Sequence, residues 1–252
     1  VCGWHADGTR AWTTELPATH PELAIDLEVA PSAVFAYVRG SRTAWTLDPQ
    51  TGAIAARHDV PSELGVWVCN MRMAPDGTRV IARIGTEAQL FALPGFTQVA
   101  KLENYCNEES IAFSHDGTHA AVNGHEVHLY DLAGPTCIAT FEPDDTPYHT
   151  CFTPAGRLVT ADGSCGVRIF ERDGTAVAAF DAMPERKKKQ ALRQLAVTDT
   201  RIAVVRDDGE VIVFDHEREL KRLGKLAPWA IAFSADGTQL WVATVGIAMY
   251  SV

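Results

Sequence analysis

The sequence predicts an all-β protein assembled from repeated four-stranded antiparallel units. Short apolar runs alternate with polar residues, which is typical of half-buried strands. A turn that contains Asp-Gly-Thr, or a degraded form of it, separates two such runs six times. These turns start at residues 30, 75, 115, 154, 198 and 235, which gives intervals of 45, 40, 39, 44 and 37 residues. The chain therefore repeats one structural unit about every forty residues.

The segment from Ser110 to Glu142 shows the unit most clearly. It contains four strand-like runs separated by turn residues: Ile111–Ser114, Ala120–Val122, Glu126–Asp131 and Cys137–Phe141. Glycine in the first turn tolerates a positive φ, and the aspartate can accept a hydrogen bond from the backbone two residues later. The Asn-Gly pair before the third strand indicates a tight hairpin. Each unit is thus predicted to be a small antiparallel sheet.

A period near forty residues with four strands in each repeat is typical of a β-propeller blade. The six turns predict six blades. The last repeat reaches only its third strand at Val252, so we expect the N-terminal segment, with the strand-like Ala11–Leu16, to complete the last blade and close the ring. The alternative is seven blades, with His5–Thr9 as the turn of a degenerate first blade.

The chain resembles the WD40-like β-propellers over nearly its whole length. The Asp-Gly-Thr turns and the aromatic-acid pairs Tyr130-Asp131, Phe170-Glu171 and Phe214-Asp215 stand where that family places its turns and its Trp-Asp pairs. No Trp-Asp pair occurs, and Gly124-His125 lies between the second and third strands. The resemblance implies one propeller domain over residues 1–252 that binds proteins through its loops. We expect the acids to start the outer turns and the aromatic residues to pack between blades.

Composition restricts the partners and the compartment. The 252 residues have a net charge of −10, which disfavours nucleic acid and anionic membranes. No apolar run is long enough for a membrane-spanning helix. The chain starts at Val1 without a methionine, so we expect a domain from a longer protein.

The six cysteines indicate reduced thiols and a cytoplasmic location. Their spacing is irregular, and no Cys-x-x-Cys occurs, so they are expected to be small hydrophobic residues rather than disulfide partners. They are Cys2, Cys69, Cys106, Cys137, Cys151 and Cys165.

The predicted binding surface is the face on which the fourth strand of one blade leads to the first strand of the next. Its loops contain aromatic residues, which are enriched in binding hot spots, acidic pairs and a basic segment at 184–193. The candidate partner-binding residues are Trp67, Tyr105, Glu108, Tyr148, His149, Lys187, Lys188, Lys189, Arg193 and Trp229. The alternatives are aromatic side chains wedged between blades and a solvated basic loop.

The leading hypothesis is a monomeric interaction scaffold that binds a protein or another domain of its own chain. No catalytic motif appears, and no cofactor or metal is predicted. The second hypothesis is a metal-assisted hydrolase or lyase with Asn70, Glu108, His149 and Asp207 lining a central channel. A spacer between domains is the third.

Overall fold

The computed structural model describes residues 1–4, 9–17, 25–38, 42–60, 68–105, 111–142, 147–182, 192–215 and 218–252. The chain divides into two compact units, Val1–Glu108 and Glu109–Val252. No helix of the described residues has the length and apolar character needed to cross a membrane. The expectation of a single domain stays a prediction.

The first unit contains three antiparallel sheets. Sheet 1 pairs β1 (Cys2–Trp4) with β2 (Arg10–Thr13). Sheet 2 has the strand order β3 (Ile25–Ala30), β4 (Ala33–Val38), β5 (Thr43–Leu47) and β6 (Ile54–Asp59). Sheet 3 has the order β7 (Val68–Met73), β8 (Arg79–Ile84), β9 (Glu87–Ala92) and β10 (Thr97–Tyr105). The first strands of sheets 2 and 3 contact each other.

The second unit contains four sheets whose first strands contact one another in chain order. Sheet 4 comprises β11 (Ile111–Phe113), β12 (His119–Asn123), β13 (Val127–Asp131) and β14 (Thr136–Phe141). Sheet 5 comprises β15 (Pro147–Phe152), β16 (Leu158–Asp162), β17 (Gly166–Phe170) and β18 (Ala176–Asp181). Sheet 6 comprises β19 (Leu192–Val197), β20 (Ile202–Arg206), β21 (Glu210–Phe214) and β22 (Glu219–Lys225). Sheet 7 has only β23 (Ala230–Phe233), β24 (Gln239–Ala243) and β25 (Ile247–Ser251).

The predicted repeat is confirmed, but the predicted count of six blades is wrong. All six turns join the first and second strands of a sheet, and they mark sheets 2 to 7. The described residues form a seventh, two-stranded sheet at the start of the chain, which agrees with the alternative of a degenerate first blade. Most of its proposed turn, residues 5–8, lies outside the described residues.

The predicted pairing of the N-terminal segment with the last blade is not confirmed. Strand β2 pairs with β1, and Val1 N and Thr14 N each donate to the other residue's carbonyl oxygen at 2.9 Å. A local hairpin closes a much shorter loop than a pairing between chain ends, so it costs less conformational entropy.

The Asp-Gly-Thr turns are closed by one carboxylate oxygen. Asp116 Oδ1 accepts from Ser114 Oγ at 2.6 Å, from Thr118 N at 3.0 Å and from Thr118 Oγ1 at 2.7 Å. Gly117 adopts a φ of 67° and donates its N–H to Ser114 O at 2.9 Å. Asp236 repeats this arrangement with Ser234 and Thr238. The recurring residues therefore have one structural role: they satisfy the polar groups of a tight turn.

The aromatic-acid pairs also behave largely as expected. The ring of Phe170 lies 4.8 Å from that of Phe141 in the preceding sheet, and Phe214 lies 5.0 Å from Phe180. These contacts place aromatic side chains between neighbouring sheets of the second unit. Asp131 Oδ1 accepts from Ala133 N at 2.8 Å, so this acid starts the outer turn.

Glu171 departs from the expected role of the acid. Its carboxylate accepts from Arg157 Nε at 2.9 Å rather than from a turn amide. The outer turn in sheet 5 is closed instead by Asp173, whose Oδ1 accepts from Thr175 N at 2.9 Å, and by the backbone bond from Glu171 N to Thr175 O.

Acid should weaken the fold through Asp236. Hydrogen bonds from Ser234 and Thr238 lower the pKa of its carboxyl from 3.8 to about 2. The unfolded chain therefore takes up this proton first as the pH falls, and the stabilisation that is complete above about pH 4 is lost between about pH 4 and pH 2. Urea unfolding should show Asp236→Asn to be less stable than the wild type at pH 5, and the difference should shrink towards pH 2.

The control for this experiment is Asp59→Asn, whose side chain is 73% exposed. The free energy of unfolding of this variant should equal that of the wild type at every pH. If the difference in the free energy of unfolding between Asp236→Asn and the wild type stayed constant down to pH 2, the assigned role of the carboxylate would be contradicted.

Candidate interaction surface

The second unit presents a cluster of polar and aromatic side chains where its first strands begin. We call it the loop-end surface and define it by Tyr148, His149, Arg193, Gln194, Asp207 and Trp229. Tyr148 and His149 lie in β15, Arg193 and Gln194 in β19, and Trp229 directly before β23. Because these strands contact one another in order, the residues lie along one end of sheets 5 to 7.

Trp229 is the most prominent member of this surface. Its side chain is 77% exposed, yet its backbone is fixed on both sides. Trp229 N donates to Ala243 O at 2.8 Å, and Gln194 Nε2 donates to Trp229 O at 2.7 Å. A large aromatic side chain on a fixed backbone loses little conformational entropy when a partner covers it.

The segment before Trp229 depends on a glycine in the neighbouring hairpin. Leu226 N and Ala227 N both donate to Gly209 O at 2.9 Å. Gly209 has a φ of 82°, and a Cβ at this position would lie 2.9 Å from the backbone of Ala227. A side chain here would therefore push the Trp229 segment away from sheet 6.

Local hydrogen bonds hold the polar members of the surface. Arg193 Nε donates to Asp207 Oδ1 at 2.7 Å, and His149 Nε2 donates to Leu192 O at 3.0 Å. Tyr148, next to His149, is 43% exposed. The result is a mixed surface on which charges are locally balanced and two aromatic side chains face solvent.

The structure brings together four of the ten predicted partner-binding residues, namely Tyr148, His149, Arg193 and Trp229. Tyr105 ends β10 in the first unit. The others lie outside the described residues: Trp67, Glu108, Lys187, Lys188 and Lys189.

The residues proposed for a channel enzyme have other contacts. Asn70 is buried in the first unit, where its Oδ1 accepts from Tyr37 Oη at 3.3 Å. His149 is hydrogen-bonded to Leu192 O, and Asp207 pairs with Arg193. Glu108 lies outside the described residues. Within the described ranges, no group of three or more His, Cys, Asp or Glu could hold a metal ion. The absence of enzyme activity stays a prediction.

Sequence reasoning missed three contributors to this surface. Gln194 fixes Trp229, Gly209 fixes the segment before it, and Val245, at the tip of the β24–β25 hairpin, is 98% exposed. The Asp207-Asp208-Gly209 sequence is a recognisable turn and could have indicated the glycine. Nothing in the sequence distinguishes Gln194 from other polar strand residues.

A cavity of about 570 Å³ lies at the opposite, turn-bearing end of sheets 5 to 7. Its lining includes Asp199 and Asp236. Asp199 Oδ1 accepts from Ala155 N at 2.6 Å, and Asp236 closes its own turn. Both carboxylates therefore support the turns that shape the cavity.

Comparison with known proteins identifies the fold. The β-propeller domain of Cps50 (Swd1) from Myceliophteria thermophila matches 90% of this chain and 82% of its own, with a TM-score of 0.70 and 11% sequence identity. The chain has a β-propeller fold. In all, 1469 chains of solved structures match it. No family model matches the sequence, and no curated protein matches it.

Replacing Gly209 by alanine should destabilise the second unit and displace Trp229. Gly224 is a matched control, because it has the same φ of 82° but a Cβ added there would meet nothing within 4 Å. In both variants an alanine must adopt a positive φ, which costs roughly 1–2 kcal/mol, and only in Gly209→Ala does the new Cβ also clash with the backbone of Ala227. Urea unfolding should show a larger loss for Gly209→Ala, and equal losses would contradict the close approach.

Proposed function

We propose that this chain is an interaction scaffold that binds a protein partner, or another domain of its own chain, through the loop-end surface. The single observation that supports this most is Trp229, an exposed aromatic side chain on a backbone fixed by Ala243 and Gln194. The propeller fold supplies a rigid support for such a surface.

The chemistry of the surface favours a protein over the other partner classes. The exposed rings of Trp229 and Tyr148 supply apolar area, and the Arg193–Asp207 pair supplies both charges at the rim. Interfaces between proteins combine an aromatic centre with a polar rim in this way. The net charge of −10 opposes binding to nucleic acid or anionic membrane.

The four described thiols outside disulfides, those of Cys2, Cys137, Cys151 and Cys165, fit a reducing compartment. We therefore extend the proposal to a cytoplasmic protein, and the monomeric state stays a prediction from the sequence.

Site-directed photo-crosslinking tests the proposal. A photoreactive phenylalanine is placed at position 229, at position 148, or at the control position 177 on the outer strand β18, where Val177 is also exposed. In lysate of the source organism, positions 229 and 148 should give the same discrete protein adduct, and position 177 should not. Adducts that were equal at all three positions, or absent from all three, would contradict the assignment.

Alanine at position 229 should then weaken the captured complex at least tenfold, since hot-spot aromatic residues contribute about 2 kcal/mol or more. Val177→Ala is the matched exposed control and should leave binding unchanged. Circular dichroism and urea unfolding of both variants show whether the fold is retained.

A further inference from the structure

The cavity at the turn-bearing end of sheets 5 to 7 has the size of a small-molecule site. Its volume is about 570 Å³, and ligand sites in proteins typically measure roughly 300–1,000 Å³. Its lining residues belong to first strands of the second unit and to the turns that follow those strands. The cavity is therefore separate from the loop-end surface, which lies where the same strands begin.

The lining of this cavity changes from apolar to polar along the strands. The first strands supply apolar residues, of which Phe152 and Ala196 are buried and Ile231 and Phe233 are half-buried. The turns supply the hydroxyl, imidazole and carboxyl groups, on residues that are half-buried or exposed: His115, Thr198, Asp199, Thr200, Ser234 and Asp236. Because each turn follows its first strand directly, the polar groups form the mouth and the apolar residues lie further inside.

Two carboxylates at the mouth each have one oxygen available to a ligand. Asp199 Oδ1 accepts from Ala155 N, and Asp236 Oδ1 accepts the three hydrogen bonds that close its turn. Among the described residues, no group donates to the Oδ2 atom of either side chain. The bonds to Oδ1 hold both carboxylates in place, so little conformational entropy is lost when Oδ2 accepts from a ligand.

No ion pair with a described residue neutralises these two carboxylates. Of the described residues, no lysine or arginine lines the cavity. Arg201, in the same turn as Asp199, donates from Nη1 to Gly237 O instead. His115 carries a positive charge only when it is protonated. At neutral pH the mouth therefore attracts a cation and repels an anion.

We propose that this cavity binds a small organic cation, namely a primary ammonium group on a short apolar chain. The ammonium group lies at the mouth with the carboxylates of Asp199 and Asp236, and the chain lies against Ala196, Ile231 and Phe233. Such a ligand uses both the charge of the mouth and the apolar area inside it. A metal ion would use only the two carboxylates, whereas Ca²⁺ alone takes about six to eight oxygen ligands.

A titration with three matched probes tests the proposal on the whole chain. Hexylamine, hexan-1-ol and hexanoate share an apolar chain and differ in the charge at its end. At pH 7, hexylamine should shift the backbone amide signals of Thr200 and Gly237 saturably in proton–nitrogen NMR spectra. Hexan-1-ol should bind about tenfold more weakly, because it forms no ion pair with either carboxylate. Hexanoate should produce no saturable shift.

Two substitutions locate the site. Asp199→Asn keeps an oxygen that accepts from Ala155 N but removes the charge, so it should weaken hexylamine binding about threefold and leave hexan-1-ol binding unchanged. Ala232→Phe enlarges an exposed lining residue of β23 and should weaken the binding of both probes at least fivefold. Asp173→Asn is the matched control, because Asp173 also closes an exposed turn but does not line the cavity, and it should bind both probes as the wild type does.

Three results would overturn the proposal. The first is no saturable shift with hexylamine, and the second is equal affinity for hexylamine and hexan-1-ol. The third is tighter binding of the end-blocked tripeptide Gly-Lys-Gly than of hexylamine, because the ligand would then be a polypeptide side chain. Trp229→Ala should bind hexylamine normally, so failure here is distinguishable from failure of the proposed function.

Discussion

The second strands of sheets 2, 5 and 6 are buried on both faces, so each of these sheets needs a covering layer on each side. Every residue of the second strands β4 and β16 is buried, and β20 is buried except at its last position. Burial of apolar surface is the main favourable term in folding, roughly 25 cal/mol for each Å². In the second unit, sheets 4 to 7 cover one another, and their first strands are in contact. The Phe141–Phe170 contact lies between sheets 4 and 5, and the Phe180–Phe214 contact lies between sheets 5 and 6. Sheet 7 is an exception to this burial, because Trp241 in its second strand is exposed on one face.

Local chemistry made most of the fold predictable from the sequence. Aspartate, glycine and threonine at fixed offsets close a turn by themselves, so Asp116 and Asp236 mark their turns without information from the rest of the chain. Alternation of apolar residues then places the strands on either side. The blade count that was wrong and the ring closure that was not confirmed both concern the start of the chain. Two short strands pair there within one hairpin, and the choice between a local and a distant partner depends on loop entropy, which residue patterns do not encode.

The candidate site was predictable in position but not in geometry. The repeat places Trp229 immediately before a first strand, and therefore at the loop end of its sheet. Its exposure depends on Gly209 and Gln194, which hold the preceding segment and the backbone of Trp229 from a neighbouring sheet. Such contacts join residues about twenty to thirty-five positions apart, and a single sequence does not reveal them. Arg193 illustrates the same limit, since nothing in the sequence indicates its pairing with Asp207.

Residue-resolved hydrogen exchange by NMR tests most directly the claim that, among the described residues of the second unit, only sheet 7 has no strand paired with the outer side of its third strand. The amides of Ile247 and Met249 should exchange rapidly, whereas those of Ala248 and Tyr250, which face β24, should be protected. Val211 and Val213 hold the equivalent positions in sheet 6, where both pair with β22, and their amides should exchange slowly. Equal protection of Met249 and Val213 in the isolated chain would show that the edge is already covered and would contradict the account.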